Sequence, residues 1–435
     1  MISGSYNSTV LNVPPGYIFT LIPSANQVQL GITLLPFSTQ GLSGNALGLA
    51  NYLNTNRELL GPAVGMLNAL SPDQLAAALN SISPARNAFS TFTAANTAFS
   101  LANAISLRLG GQRRLHGAGG SLQALAAAAL PFAQEELLVS RQKNLPAGKS
   151  QSAVREQDDA CIWIQALGEF AHQKAQSQTP AFKSTTGGAV LGGDYYGLAH
   201  GMMGAAFGYA KTKIDDSGSA GHGTIDSYGL SWYGTRYIKD AYLELGLWAV
   251  YNRYFNDRHV VFPGFNQTAT SSHHGWQVIP HLGVGYDMSF DGGVFEPFVA
   301  FDYAAIMQSG FSEQGADPFN MKQPGTTSGM LRSQAGFNVY EVWETDAGDA
   351  WVLTERLSYI NEKGFGIGKV NGVSVVGAPP GFSVNSFKAP LNLFAPALEI
   401  TYRAVGGAVF SVFYEGQFGS SYKSNEITGK LGAFF

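Results

Sequence analysis

From residue 161 to the C-terminus the chain alternates, residue by residue, between apolar and small or polar side chains. Trp276, Val278, Pro280, Leu282, Val284, Tyr286 and Met288 interleave with Gln277, Ile279, His281, Gly283, Gly285 and Asp287. Leu243, Leu245, Leu247, Ala249 and Tyr251 interleave with Glu244, Gly246, Trp248, Val250 and Asn252 in the same way. A period of two is the signature of β-strands, whose successive side chains point to opposite faces. Twelve such stretches fall near 161–172, 186–198, 201–213, 224–238, 241–258, 270–290, 294–308, 327–343, 350–361, 386–403, 406–418 and 422–435. Their connections alternate too. Short ones sit at 199–200, 239–240, 291–293, 344–349 and 404–405. Most of the others, near 173–185, 214–223, 259–269, 309–326 and 362–385, are longer and rich in Gly, Ser and Pro. Short turns at one end and long loops at the other, with an even strand count, are what a membrane β-barrel requires.

Composition supports lipid as the outer solvent. Only 13% of residues are charged, about half the usual share, while there are 53 Gly and 53 aromatics (28 Phe, 19 Tyr, 6 Trp). Of those aromatics, 44 lie after residue 160. No run reaches the roughly 18 apolar residues of a transmembrane helix. The expected fold is therefore mainly β: a 12-stranded antiparallel transmembrane barrel over 161–435, preceded by a helical linker over 71–160 and a β-rich, then helical, segment over 1–70. Apolar residues face outward and Gly, acid and amide inward, which places Glu244, Glu296, Asp302, Glu399, Arg403 and Glu415 in the lumen. Glu355 breaks the rule. It shares a parity with Trp351, Leu353, Leu357 and Tyr359, so a bulge or a groove-facing site is expected there, since a carboxylate facing the bilayer midplane costs roughly a few kcal/mol.

The N-terminal part reads differently. Residues 17–22 and 28–35 are short β-like runs broken by Pro23, either the last rungs of a larger β-structure or an isolated pair of strands. From 44 to 109 the pattern is helical. Ser71-Pro72-Asp73-Gln74 supplies a capping Ser, an N1 Pro, a first-turn acid and an N3 Gln, and Ser83-Pro84 begins a further helix. That helix, 85–109, is slim and half-polar, with Phe89, Phe92, Phe99 and Ile105 among Ala, Ser, Thr and Asn. It cannot cross lipid, but it fits either a pore or the β-structure upstream. Residues 109–159 read as linker around an Ala-rich helix near 121–143. Residues 1–5 lack the basic start and apolar core of a secretion signal, so further upstream sequence is expected for an exported protein.

Chemistry is sparse. The single Cys161 excludes internal disulfides and Cys-rich metal sites. A net charge of −4 gives no nucleic-acid footprint. Gly192-Gly193-Asp194 precedes no helix and is no phosphate loop. His273 and His274, being adjacent in a strand, point to opposite faces. Asp215-Asp216 with His222 in an outer loop is the one constellation suited to hydrolysis, and acid pairs in Gly/Ser loops are usually solvated turn residues. No catalytic residue, metal site or cofactor is expected.

Several motifs point to a known family. Ile162-Trp163-Ile164-Gln165-Ala166-Leu167-Gly168 resembles the first strand of the autotransporter β-domain. Gly192-Gly193-Asp194-Tyr195-Tyr196-Gly197, Met203-Gly204-Ala205-Ala206-Phe207-Gly208-Tyr209 and Ser227-Tyr228-Gly229-Leu230 leading to Tyr233-Gly234 are similar as well. The resemblance spans about 160–435. It implies an outer-membrane barrel that carries its own passenger to the cell surface, with the connecting helix left in the pore. The alternatives are a passive or substrate-specific channel and an outer-membrane hydrolase with a rim-loop site. Residues 83–109 look like the family's linker helix and would put Phe92, Asn96 and Phe99 in the lumen, although about fifty residues follow it before the first strand, so 121–143 competes for that place. Some family members cut themselves at an Asn-Asn pair in this helix; none occurs here. The implied partners are outer-membrane lipid, the passenger and the barrel assembly machinery. That machinery would read the terminal Leu431, Ala433 and Phe435. Phe435→Ser should then reduce the heat-modifiable barrel in the membrane, measured by the gel mobility of unboiled samples.

Overall fold

A computed structural model of the chain describes residues 13, 15–24, 26–116, 159–176, 180–196, 201–216, 221–290, 293–347, 349–385 and 391–434. Phe435, the 121–143 stretch and most of the linker lie outside the described residues. The short hairpin of β1 (Tyr17–Pro23) and β2 (Val28–Leu34) comes first. Then follow α1 (Gly44–Thr55), α2 (Gly61–Asn68), α3 (Pro72–Ile82) and the long α4 (Asn87–His116). The expected capping box opens α3, with the Gln74 amide donating to Ser71 Oγ (3.4 Å) and the Ser71 amide to Gln74 Oε1 (3.0 Å).

Twelve long strands build the barrel: β3 (Asp159–Gln173), β4 (Phe182–Tyr196), β5 (Gly201–Asp216), β6 (His222–Ile238), β7 (Ala241–Phe262) and β8 (Phe265–Tyr286) in the first half. After the three-residue β9 (Met288–Phe290) come β10 (Gly293–Gln308), β13 (Thr326–Glu344), β14 (Ala350–Phe365), β17 (Leu391–Arg403), β18 (Ala408–Phe418) and β19 (Tyr422–Phe434). Every neighbouring pair is antiparallel, and β19 returns to pair with β3 from Tyr422↔Gln173 to Phe434↔Cys161. The ring is closed, so no barrel strand is left with an open edge for lipid to face. Among the described residues no helix is long and apolar enough to cross a membrane.

Side-chain placement is inverted relative to a water-soluble barrel. Ile164, Phe207, Trp232, Leu245, Trp276, Tyr359 and Leu431 are exposed on the outer wall, whereas Gln165, Thr212, Asn252, Gln277 and Glu362 are buried inside. Glu355 obeys this geometry rather than escaping it. The ladders on both sides of β14 run through Val339↔Glu355 and Glu355↔Leu398 without a shift, and the carboxylate is exposed on the outer wall. No bulge turns it inward. It lies four residues from Trp351 and four from Tyr359 on the same outward row, with Val339 and Leu398 as its cross-strand neighbours.

Three of the long connections are more ordered, over their described residues, than their composition suggested. Residues 259–269 are not a loop: β7 and β8 continue as a ladder to Phe262↔Phe265, closed by a turn at Pro263-Gly264, where Gly264 has φ +84°. The connections around 309–326 and 362–385 carry β11 (Phe311–Ser312), β12 (Met321–Gln323), β15 (Lys369–Val375) and β16 (Phe382–Asn385), joined in one small sheet. Helices α1 to α3 pack on this sheet and on the β7–β8 tip around Leu49, Leu53, Val64, Leu79, Val260, Phe319 and Val373. Asn45 Oδ1 accepts from the Asn385 amide (2.9 Å), and Tyr52 donates to the Pro379 carbonyl (2.8 Å). One buried guanidinium ties these parts together. Arg258 of β7 pairs with Glu313 and donates to the carbonyls of Ile82 (2.7 Å) and Phe319 (3.0 Å). Removing one partner of a buried ion pair costs about 3–5 kcal/mol. Arg258→Ala is therefore expected to increase protease cleavage within residues 44–82 about a hundredfold or more while leaving heat modifiability of the barrel unchanged.

Candidate functional site: the helix-filled lumen

Twelve strands lie between eight, which close on their own side chains, and sixteen, which leave a channel. The space suits one helix of about 10–12 Å. α4 occupies it. Its thirty residues span about 45 Å at 1.5 Å each. The sequence placed the helix end at Leu109, before Gly110-Gly111, but the structure carries it on to His116. Glycine inside a helix costs about 1 kcal/mol, and here the loss of a side chain makes room: a Cβ on Gly111 would stand 3.2 Å from Lys430 Nζ.

At the long-loop end, Phe89 stacks on Phe182 (4.7 Å between centroids) and Phe92 meets Tyr422 edge-on (5.9 Å). Thr91 donates to Gln308 (2.9 Å). In the middle, Asn96 donates to Tyr422 (3.2 Å), Thr97 bonds Thr212 (2.9 Å) and Ser100 donates to Glu169 (3.2 Å). Asn103 donates to Glu426 (3.4 Å), and Arg332 of the wall sits over the Phe99 ring (5.3 Å). The short-turn end is ionic. Arg108 makes a bidentate pair with Asp194 (2.7 and 2.8 Å), which also accepts from Tyr233 (3.1 Å). Tyr233 in turn accepts from Trp163 Nε1 (2.9 Å). Arg113 pairs with Glu244 and, at 3.1 Å, with Glu296, its guanidinium 3.6 Å over Tyr242. Lys430 of the wall reaches Glu399 (3.2 Å) and the Leu107 carbonyl (3.3 Å).

Phe92, Asn96 and Phe99 thus lie on the lumenal helix, and Glu244, Glu296, Glu399 and Glu415 are buried in the wall facing it. Asp302 faces inward but bonds His281 Nδ1 (2.8 Å) rather than the helix, and Glu415 bonds Gln417 (2.8 Å). Arg403 has the inward parity yet is only half-buried, at the short-turn end of β17. Leu431 and Ala433 are exposed on the outer wall at the end of β19. The sequence reading missed Arg108, Arg113 and Asp194. Asp194 was visible from parity, since it shares the inward face of β4 with Gly192 and Val190; Arg108 lay in the stretch expected in the lumen, while Arg113 lay beyond the helix end expected at Leu109.

One flank of α4 leaves a polar cleft against Glu244, His281, Asp302, Arg332, Arg356 and Glu426. Acids and guanidiniums here are mutually compensating, with Arg332–Glu362 at 3.7 Å and Arg356–Glu415 at 3.9 Å. The rim constellation is present but open to solvent: His222 Nδ1 lies 2.8 Å from Asp215, both side chains 61% exposed. His273 stacks between Tyr254 and Phe311 at 4.5 Å each, while His274 lies beside Tyr251 on the other face. Among the described residues no group of three or more His, Cys, Asp or Glu is placed to hold a metal.

A closed, lipid-facing barrel threaded by a helix that follows a cap at the long-loop end defines a class, the outer-membrane translocator barrel. The family described as "Autotransporter beta-domain" matches residues 162–411, more than half of the chain, and the chain belongs to that family. The translocator domain of the autotransporter NalP from Neisseria meningitidis superposes with a TM-score of 0.50 at 15% identity, covering 71% of this chain and 98% of that one. The β-domain of the Bordetella autotransporter BrkA gives 0.50 at 14% identity, covering 64% and 100%. A Serratia marcescens extracellular serine protease is 23% identical over 63% of this chain; the chain spans only 26% of that relative's length.

Breaking the ionic end of the plug should be measurable. Arg108→Ala leaves Asp194 buried and unpaired, at about 3–5 kcal/mol, and should increase the frequency of open-lumen events in planar bilayers. The double variant Arg108→Ala/Asp194→Ala should recover part of that loss, because no orphan charge remains.

Proposed function

We propose that this barrel displays the N-terminal segment of its own polypeptide at the bacterial cell surface, with α4 remaining in the pore as both tether and plug. The observation that carries this is the course of the chain. Residues 17–82 stand at the long-loop end, α4 runs the length of the lumen, and β3 begins at the short-turn end. In outer-membrane barrels long loops face outward and short turns face the periplasm, so the segment before α4 is outside. We propose the domain division as a surface segment over 1–70, a helical linker over 71–160 whose α3 packs into the cap, and the barrel over 161–435.

A passive channel accounts less well for hydrogen bonds between α4 and the wall from Thr91 to Arg113. The barrel itself is proposed to be non-enzymatic. The serine-protease relative extends far beyond the shared region, and the exposed Asp215–His222 pair has the character of a solvated turn. Asp216→Asn should leave peptide hydrolysis by the purified barrel at the same background level as the parent. The assembly machinery is proposed to read the β19 end, where Leu431 faces lipid.

Display has a direct test. A protease site inserted at Thr39-Gln40, between β2 and α1, should be cut by protease added to intact cells, releasing the residues before it and leaving the barrel heat-modifiable. Protection of that site on intact cells, with cutting only after lysis, would place the segment on the wrong side of the membrane.

A further inference from the structure

The outward row of β6 runs Leu230, Trp232, Gly234, Arg236, Ile238, and it is interrupted at its centre. Gly234 lies opposite Met203 of β5 and Leu245 of β7, both more than half exposed. Gly234 lies on the floor of an open, shallow groove in the outer wall, about 800 Å³, walled by Met203, Trp232, Leu243 and Leu245. The floor is held open by the backbone: a Cβ on Gly234 would come within 2.9 Å of the Met202 carbonyl oxygen.

Arg236 lines the same groove, with its side chain exposed on the lipid side three residues before the Lys239-Asp240 turn. It therefore stands at the periplasmic boundary of the bilayer, where a long cationic side chain extends toward headgroups at little cost. The outward Lys211, near the other end, already pairs with Asp226 at 3.6 Å, whereas Arg236 makes no ion pair among the described residues. An apolar slot ending in a guanidinium matches an acyl chain ending in a phosphodiester that no ammonium of the same headgroup offsets, because guanidinium binds phosphate oxygens through charge-assisted hydrogen bonds.

We infer that the β5–β7 groove is a binding site for an anionic glycerophospholipid of the periplasmic leaflet, one acyl chain lying over Gly234 and the phosphate on Arg236. The inference rests on the orientation given under Proposed function and not on translocation. It is tested on the full chain in detergent by native mass spectrometry with palmitoyl-oleoyl phosphatidylglycerol and the corresponding phosphatidylethanolamine as probes. The parent should retain one phosphatidylglycerol under activation that strips phosphatidylethanolamine. Arg236→Gln should lower that occupancy about tenfold, the scale of a lost charged hydrogen bond. Leu243→Trp, which fills the slot, should lower retention of both lipids. Arg253→Gln, an outward arginine at the opposite end of β7, should change nothing. Equal retention of the two lipids by the parent, or parent-like retention by both Arg236→Gln and Leu243→Trp in samples that remain heat-modifiable, would overturn the assignment. Loss of heat modifiability in the parent-like controls would instead indict the barrel reading itself.

Discussion

Hydrocarbon offers a backbone amide nothing to bond to, so a chain that crosses it as strands must close into a ring. The β19–β3 ladder does this, and most of the rest of the structure follows. Once the ring is closed, one face of every strand meets lipid and the other meets whatever fills the tunnel. The outer face can then be Leu, Ile, Phe and Trp without a partner. The inner face keeps the polar side chains, and those buried there need bonds of their own.

α4 supplies many of those bonds. It is neither apolar enough for lipid nor polar enough for open water, and that intermediate character suits a lumen with an aromatic, hydroxyl and ionic level in succession. Phe89 and Phe92 meet rings near the long-loop end, Thr97 and Ser100 meet hydroxyl and carboxylate groups midway, and Arg108 and Arg113 neutralise Asp194, Glu244 and Glu296 near the short-turn end. The cap of α1–α3 and the small loop sheet then seats on the long-loop mouth through Arg258.

Much of the barrel was legible because a period of two over many residues, with turns alternating short and long, admits few other folds. The inward acids followed from the same parity. Two things were not legible. The 259–269 segment looked like a loop because Pro263-Gly264 marks a turn, yet the strands around it simply run on beyond the membrane, supported by Phe319 and the cap. Gly110-Gly111 looked like a helix end because glycine weakens an isolated helix, whereas inside a lumen the wall outweighs that preference. Glu355 carried the opposite lesson. The rule against outward charge suggested a bulge, but the ladders on both sides of β14 stay in register through Glu355 and keep its carboxylate on the outer face.

The central claim is that α4 lies inside the closed ring. Thr97 and Thr212 place their hydroxyl oxygens 2.9 Å apart across the helix–wall contact. Cysteines at both positions, in a Cys161→Ser background, should form a disulfide in the assembled outer-membrane protein, seen as a shifted band that collapses on reduction. Two free thiols that fail to cross-link in a heat-modifiable barrel would put the helix elsewhere and contradict the account.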